Sequence, residues 1–275
     1  MKRYFIKTHI IYLAFFTSVL AFAQKDFQGK AYYESKTAVD MSNFGGSDMS
    51  EERRNQIADR MRSRLEKTFV LTFNQSESFY KEEEKLETSG GGNRWGAMMS
   101  SFTGGPQYKN IKSNLLLQEQ EFFGKQFLIK DSLPKFNWKM EAETKQIGQY
   151  TCFKATATKT VDAVDFTRFR RPPNDDETET PKAKEIQIVA WYTMQIPVSL
   201  GPDDYWGLPG LILEVNADRT TIYCSKIILN PEEKDVIVMP SKGKEVTREA
   251  YTSIVKKKTE EMRQSFRNGG GGGRR

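Results

Sequence analysis

Histidine is nearly missing from this chain: the 275 residues contain one, His9, and it sits within the first two dozen. From residue 10 onward no imidazole is available. That excludes Ser-His-Asp and Cys-His mechanisms and any metal held through imidazole. Cysteine is almost as scarce, with Cys152 and Cys224 alone. Both fall in segments that pattern as strands, so two readings stand open. One is a disulfide, which an oxidising compartment favours and which would staple two strands. The other is two separate thiols in a sheet. Neither has a neighbouring base or second cysteine that would mark a reactive thiol.

Long apolar runs are also lacking. The one candidate, Ile10 to Phe22, is shorter than the roughly 20 residues a spanning helix needs. Lys2, Arg3 and Lys7 precede it and Ala21-Phe22-Ala23 follows, the layout of a cleavable secretory signal over residues 1–23. The expected mature chain begins at Gln24 with no cysteine for a lipid anchor and no transmembrane span. Its destination is periplasmic or secreted. Charge of one sign is lacking too: 42 basic against 36 acidic residues give +6, and three of the basic ones belong to the leader. With Arg263, Arg267, Arg274 and Arg275 at the far end, the body is close to neutral and offers no electrostatic case for nucleic acid. The glycines at 90–92 are not followed by Gly-Lys-Ser/Thr, so no phosphate loop is implied. The sequence implies no cofactor, no metal site and no catalytic residue.

What is present is alternation. Gly29–Thr37, Phe69–Phe73, Asn114–Phe122, Gln126–Asp131 and Tyr150–Lys159 pattern as strands, and Gly124-Lys125 and Ile147-Gly148-Gln149 as turns. From Pro134 the clearest alternation places Phe136, Trp138, Met140 and Ala142 on a dry face. Two segments change period. Residues 51–66 carry Ile57, Met61 and Leu65 behind a Ser50 cap, and 247–266 carry Tyr251, Ile254, Val255, Met262 and Phe266 behind a Thr247 cap; both predict helices lying on the sheet. The expected fold is α+β, mainly β: a curved antiparallel sheet of about seven to nine strands, open or half-closed as a barrel, with two packed helices. Residues 24–267 form one domain with inserts at 45–66, 88–108 and 161–184, followed by a Gly/Arg tail at 268–275.

The rest of the chain is organised around residues 190–216. An apolar strand reaches Pro197 and Gly201-Pro202, then Leu208-Pro209-Gly210, and leaves as Leu211-Ile212-Leu213-Glu214-Val215. Leu208 before proline is extended, Pro209 presets φ, and Gly210 is expected to supply the positive φ of a type II turn. Trp191, Tyr192, Tyr205 and Trp206 cluster in sequence here and are the candidate ligand-lining rings. Asp203, Asp204 and Glu214 are the nearest carboxylates and would serve a histidine-independent hydrolase if they converged in a cleft.

Gly207-Leu208-Pro209-Gly210-Leu211-Ile212, preceded by Ala190-Trp191-Tyr192, Ile196-Pro197 and Gly201-Pro202, resembles the signature of the GLPGLI family of Bacteroidota. Ile147 to Thr156 resembles the hairpin upstream of that signature. The resemblance covers residues 135–230 and implies a secreted or periplasmic protein of undefined function, with no catalytic residues to carry over. The sequence therefore points to an exported non-enzymatic envelope protein binding an apolar or peptide-like ligand, or a partner protein, near the 191–211 corner. A carboxylate hydrolase and a structural assembly subunit are the alternatives.

Overall fold

The computed structural model describes residues 27–38, 50–83, 104–161 and 184–269. The leader and most of the 88–108 and 161–184 inserts and of the tail lie outside these residues. Among the described residues, twelve strands form one mixed sheet that is not closed. In chain order they are β1 (Gly29–Thr37), β2 (Lys67–Phe73), β3 (Glu77–Glu82), β4 (Gln107–Asn110), β5 (Leu115–Phe122), β6 (Lys125–Asp131), β7 (Lys139–Ile147), β8 (Tyr150–Val161), β9 (Lys184–Thr193), β10 (Leu211–Ala217), β11 (Thr220–Leu229) and β12 (Lys244–Val246). Helix α1 (Glu51–Leu65) follows β1, and α2 (Arg248–Gly269) follows β12. The mainly β, curved α+β expectation is met, with twelve strands instead of seven to nine. The extra ones are short: β3, β4 and β12 are six, four and three residues.

The spatial order is β12-β6-β5-β4-β3-β2-β1-β11-β10-β9-β8-β7. All pairings are antiparallel except β12 on β6. β1 is the seam between an N-terminal and a C-terminal set of hairpins, running from Gly29 opposite Leu229 to Thr37 opposite Thr220. Curvature follows from one short connector. β6 and β7 are ten inter-strand steps apart, which in a flat sheet is about 48 Å at roughly 4.8 Å per step. Yet the chain passes from Asp131 to Lys139, eight residue steps that span at most about 28 Å. The sheet must therefore roll into a trough, with residues 132–138 as a strap across its mouth.

β7 corrects one sequence expectation. The strand begins at Lys139, not near Pro134, because residues 134–138 belong to the strap. Met140, assigned to the dry face, is 58% exposed. β7 pairs only with β8 and a bulge separates Met140 from Thr144, so an edge strand carries the alternation with no second layer to bury it. The β5–β6 turn also lies one residue earlier than expected, on Phe123-Gly124 with φ of 50° and 72°, a pair of positive values suited to a tight hairpin. The caps are as expected: Arg53 N–H donates to Ser50 Oγ at 3.3 Å and Ala250 N–H to Thr247 Oγ1 at 3.1 Å. Tyr251 sets α2 against β6, its ring edge-on to Phe127 at 5.5 Å and to Phe122 at 6.2 Å.

Candidate functional site

The corner, residues 194–210, does not stand away from the sheet. It folds back as a plug in the trough. Ile196, Val198, Leu200 and Leu208 are 0–2% exposed and join the core with Ala31, Tyr33, Leu71, Phe73, Leu211, Ile212 and Leu213. Each such side chain contributes about 1.5–3 kcal/mol on leaving water. The plug ties itself to the outgoing strand: Leu211 N–H donates to Ile196 O at 2.9 Å, Ile212 N–H to Leu200 O at 3.0 Å, and Gly207 N–H to Ser199 O at 3.1 Å. Tyr33 donates its hydroxyl to Ile212 O at 2.7 Å, and burial pushes that phenol's pKa well above its usual value.

The turn chemistry differs from the expectation. Gly210 does not take a positive φ; Asp203 (46°) and Gly207 (94°) do. The tight turn is at Asp203-Asp204, closed by Tyr205 N–H on Pro202 O at 3.1 Å, while Leu208, Pro209 and Gly210 form bends. Gly210 is required for another reason. A Cβ there would lie 2.1 Å from Thr193 O and 2.6 Å from Thr193 C, so only glycine lets the exit of the corner pass the end of β9.

A residue the sequence gave no reason to single out holds the tip of the plug. Lys109 on β4 is 0% exposed, and its ammonium donates to Gly201 O at 2.7 Å, Tyr205 O at 3.2 Å and Asp203 O. β4 lies five strand positions from β10, so this contact joins opposite walls through the plug. Burial lowers the Lys109 pKa to about 8, opposed by the nearby charges of Asp203 and Asp204. With three carbonyl acceptors for three N–H donors, the ammonium form has its hydrogen bonds complete at neutral pH. Asp204, 7% exposed, pairs with Lys159 at 2.6 Å. Burial, then the Asp204 charge beside it, raises the Asp203 carboxyl above the ordinary range.

The carboxylates do not gather in one cleft. A bulge in β10 places Ile212 opposite Tyr192 but Glu214 opposite Trp191. Glu214 pairs there with Lys145 at 2.7 Å, and the same Lys145 ammonium lies 4.4 Å from the Trp191 ring centroid. Asp203 and Asp204 belong to the plug.

The four rings are divided in the same way. Tyr192 (4% exposed) and Tyr205 (6%) are core residues, Tyr205 packing against Phe136 of the strap at 5.5 Å. Trp191, next to Tyr192 in a strand, points to the other face and is half-buried under Lys145. Trp206 is half-buried at the mouth, where the strap locks onto the corner reciprocally: Trp206 Nε1–H donates to Pro134 O at 2.6 Å, and Trp138 Nε1–H donates to Trp206 O at 2.9 Å. The exposed rim consists of Met194, Gln195, Pro197, Gly207 and Pro209.

Cys152 and Cys224 are free, buried thiols. They lie on β8 and β11 with β9 and β10 between them, and the Cys152 thiol is near enough to add to the rise of the Cys224 pKa. Burial raises their pKa values to about 11 and about 12 respectively. Among the described residues no cluster of three or more His, Cys, Asp or Glu could hold a metal, and no helix is long and apolar enough to cross a membrane.

An open β trough filled by its own corner is the class that fold and site define. A family described as "Protein of unknown function (Porph_ging)", associated with Bacteroidota, matches residues 138–214, from the end of the strap into β10. No curated protein matches the chain. Among solved structures, "Structure of PNGF-II in C2 space group" aligns with 14% identity and a TM-score of 0.48, over 83% of this chain and 32% of that one. "Structure of PNGF-II in P21 space group" gives 14%, 0.47, 82% and 32%. The chain thus spans about a third of the length of those proteins.

Proposed function

We propose that this chain is an exported, non-enzymatic envelope protein that receives an apolar or peptide-like ligand, or a partner protein, at the rim of the corner. The observation that carries the reading is the commitment of three of the charged groups near the corner, with Asp203 sealed into the plug beside Asp204. Lys109 is saturated by three carbonyls, Asp204 is paired with Lys159, and Glu214 is paired with Lys145 elsewhere. With no histidine after residue 9, no imidazole is left to act as a general base. A rigid plug whose rim presents Met194 (49% exposed), Pro197, Pro209 and half-buried Trp206 suits recognition. Of the four rings expected to line a ligand, Trp206 is the one this reading retains at the mouth.

The test is mass spectrometry of material copurifying with the native protein, compared with Met194→Glu and Trp206→Ala. Met194→Glu leaves the plug's ties untouched and is expected to lose the bound species. Equal recovery from all three proteins, or none from the wild type, refutes recognition at the rim.

A further inference from the structure

The charge of this chain is unevenly placed. From Arg248 onward there are eight basic and three acidic residues, a net +5, and the leader holds +3 of the chain's +6. The body between Gln24 and Thr247 is consequently at net −2. The excess resides on α2 and the residues after it.

α2 has 22 residues, about 33 Å, and packs on β6 through its first turn, where Tyr251 sits edge-on to Phe122 and Phe127. The same face continues through Ile254, Val255 and Met262, three, four and eleven residues on, all half-buried. Beside it Lys256, Lys257 and Lys258 are exposed, with Lys258 also reaching Glu261 at 3.1 Å. The stripe is already half-buried, so the exposed lysine run is what the helix offers to a surface of anionic headgroups.

We propose that α2 docks this protein on an anionic lipid surface, lying on the bilayer with the lysine run against the headgroups. Charge complementarity selects this occupant: the basic excess is confined to α2 and the residues after it, on a body of opposite net sign, which keeps the rest of the molecule off the surface. The envelope reading above supplies the cellular setting only, since vesicle binding in solution does not depend on leader processing.

The test uses the chain from Gln24 onward, which holds every described strand and helix, sedimented with vesicles of about three parts phosphatidylglycerol to seven of phosphatidylcholine at low salt. Binding is expected, falling more than tenfold on going from roughly 50 to 300 mM NaCl as the charges are screened. K256E/K257E/K258E is expected to bind at least 30-fold more weakly, given about fivefold per basic residue at such a surface. K256Q/K257Q, which leaves the apolar face alone, is expected to fall in between. The proposal is overturned by absence of binding at low salt or by equal retention on pure phosphatidylcholine. Binding to polyglutamate but not vesicles, or undiminished binding by variants with unchanged melting temperature, overturns it as well.

Discussion

Lys109→Met is the sharpest probe of the plug. The substitution keeps side-chain length and removes one buried charge. Two effects oppose each other. Burial lowers the Lys109 pKa from 10.5 to about 8 even against the attraction of Asp203 and Asp204, so relief from desolvation returns about 3 kcal/mol or more. Against that, three charge-assisted hydrogen bonds at about 1.5 kcal/mol or more each disappear. The carbonyls of Gly201, Asp203 and Tyr205 are left without this donor, and Asp203 and Asp204 lose a positive neighbour. The second effect wins, and the expected destabilisation is about 3–5 kcal/mol, as for other buried charges stripped of a partner. That is a large share of the 5–15 kcal/mol by which a domain is usually stable. Urea unfolding followed by tryptophan fluorescence at pH 7 measures it, and Asp203→Asn in the Lys109→Met background should restore part of the loss. The pH dependence has a definite sign. Between about pH 8 and 10.5 the unfolded chain holds a proton that folded Lys109 has released, so wild-type stability should rise with pH relative to Lys109→Met. A variant within 1 kcal/mol of wild type, with no such divergence, refutes the keystone role.

Other substitutions separate backbone strain, close approach and hydrogen bonding. Gly210→Ala should cost about 3 kcal/mol or prevent folding, because its Cβ meets Thr193 O; Gly124→Ala, also glycine but at φ 72° in open space, should cost only about 1 kcal/mol. Thermal melts of the two compare them directly. Asp203→Asn alone should stabilise at pH 7–8 by about 1 kcal/mol and lose that advantage on acidification. Its raised carboxyl pKa means the folded state takes up a proton before the unfolded state as pH falls. An amide also tolerates φ of 46°. Tyr33→Phe should cost about 1 kcal/mol in chemical denaturation, from the lost hydroxyl bond to Ile212 O. Thiol-reagent titration at pH 8 should label Cys152 and Cys224 slowly in the folded chain and count two thiols in urea; a count of zero would mean that they are bonded.

How much was legible in the sequence depended on element length and on partners. β1, β8 and β10 announce themselves because seven to twelve residues of alternation or continuous apolarity can be counted. β4 and β12, at four and three residues, cannot be read this way. Phe136 and Trp138 were correctly read as apolar-facing but assigned to a strand, since a strap that packs on a corner shows the same alternation as a strand that packs on a sheet. Trp191 and Tyr192 are adjacent in sequence, and period two alone separates them onto opposite faces. The sequence assigns Gly210 a dihedral role, whereas its reason is a carbonyl that a Cβ would meet at 2.1 Å. Lys109 was invisible because a lysine in a four-residue strand reads as solvated, and its acceptors lie more than 90 residues downstream.

The seam strand has a consequence for how the molecule comes into being. Hairpins such as β5–β6 and β7–β8 can assemble as soon as their own residues are available. β1, synthesised among the first, can satisfy one of its edges only when β11, some 190 residues later, has arrived. Closure of that edge is therefore a late, slow event set by chain topology. Until it happens, an early strand waits with one row of amides and carbonyls open, and a newly delivered chain is at greatest risk of pairing with a neighbour in that interval.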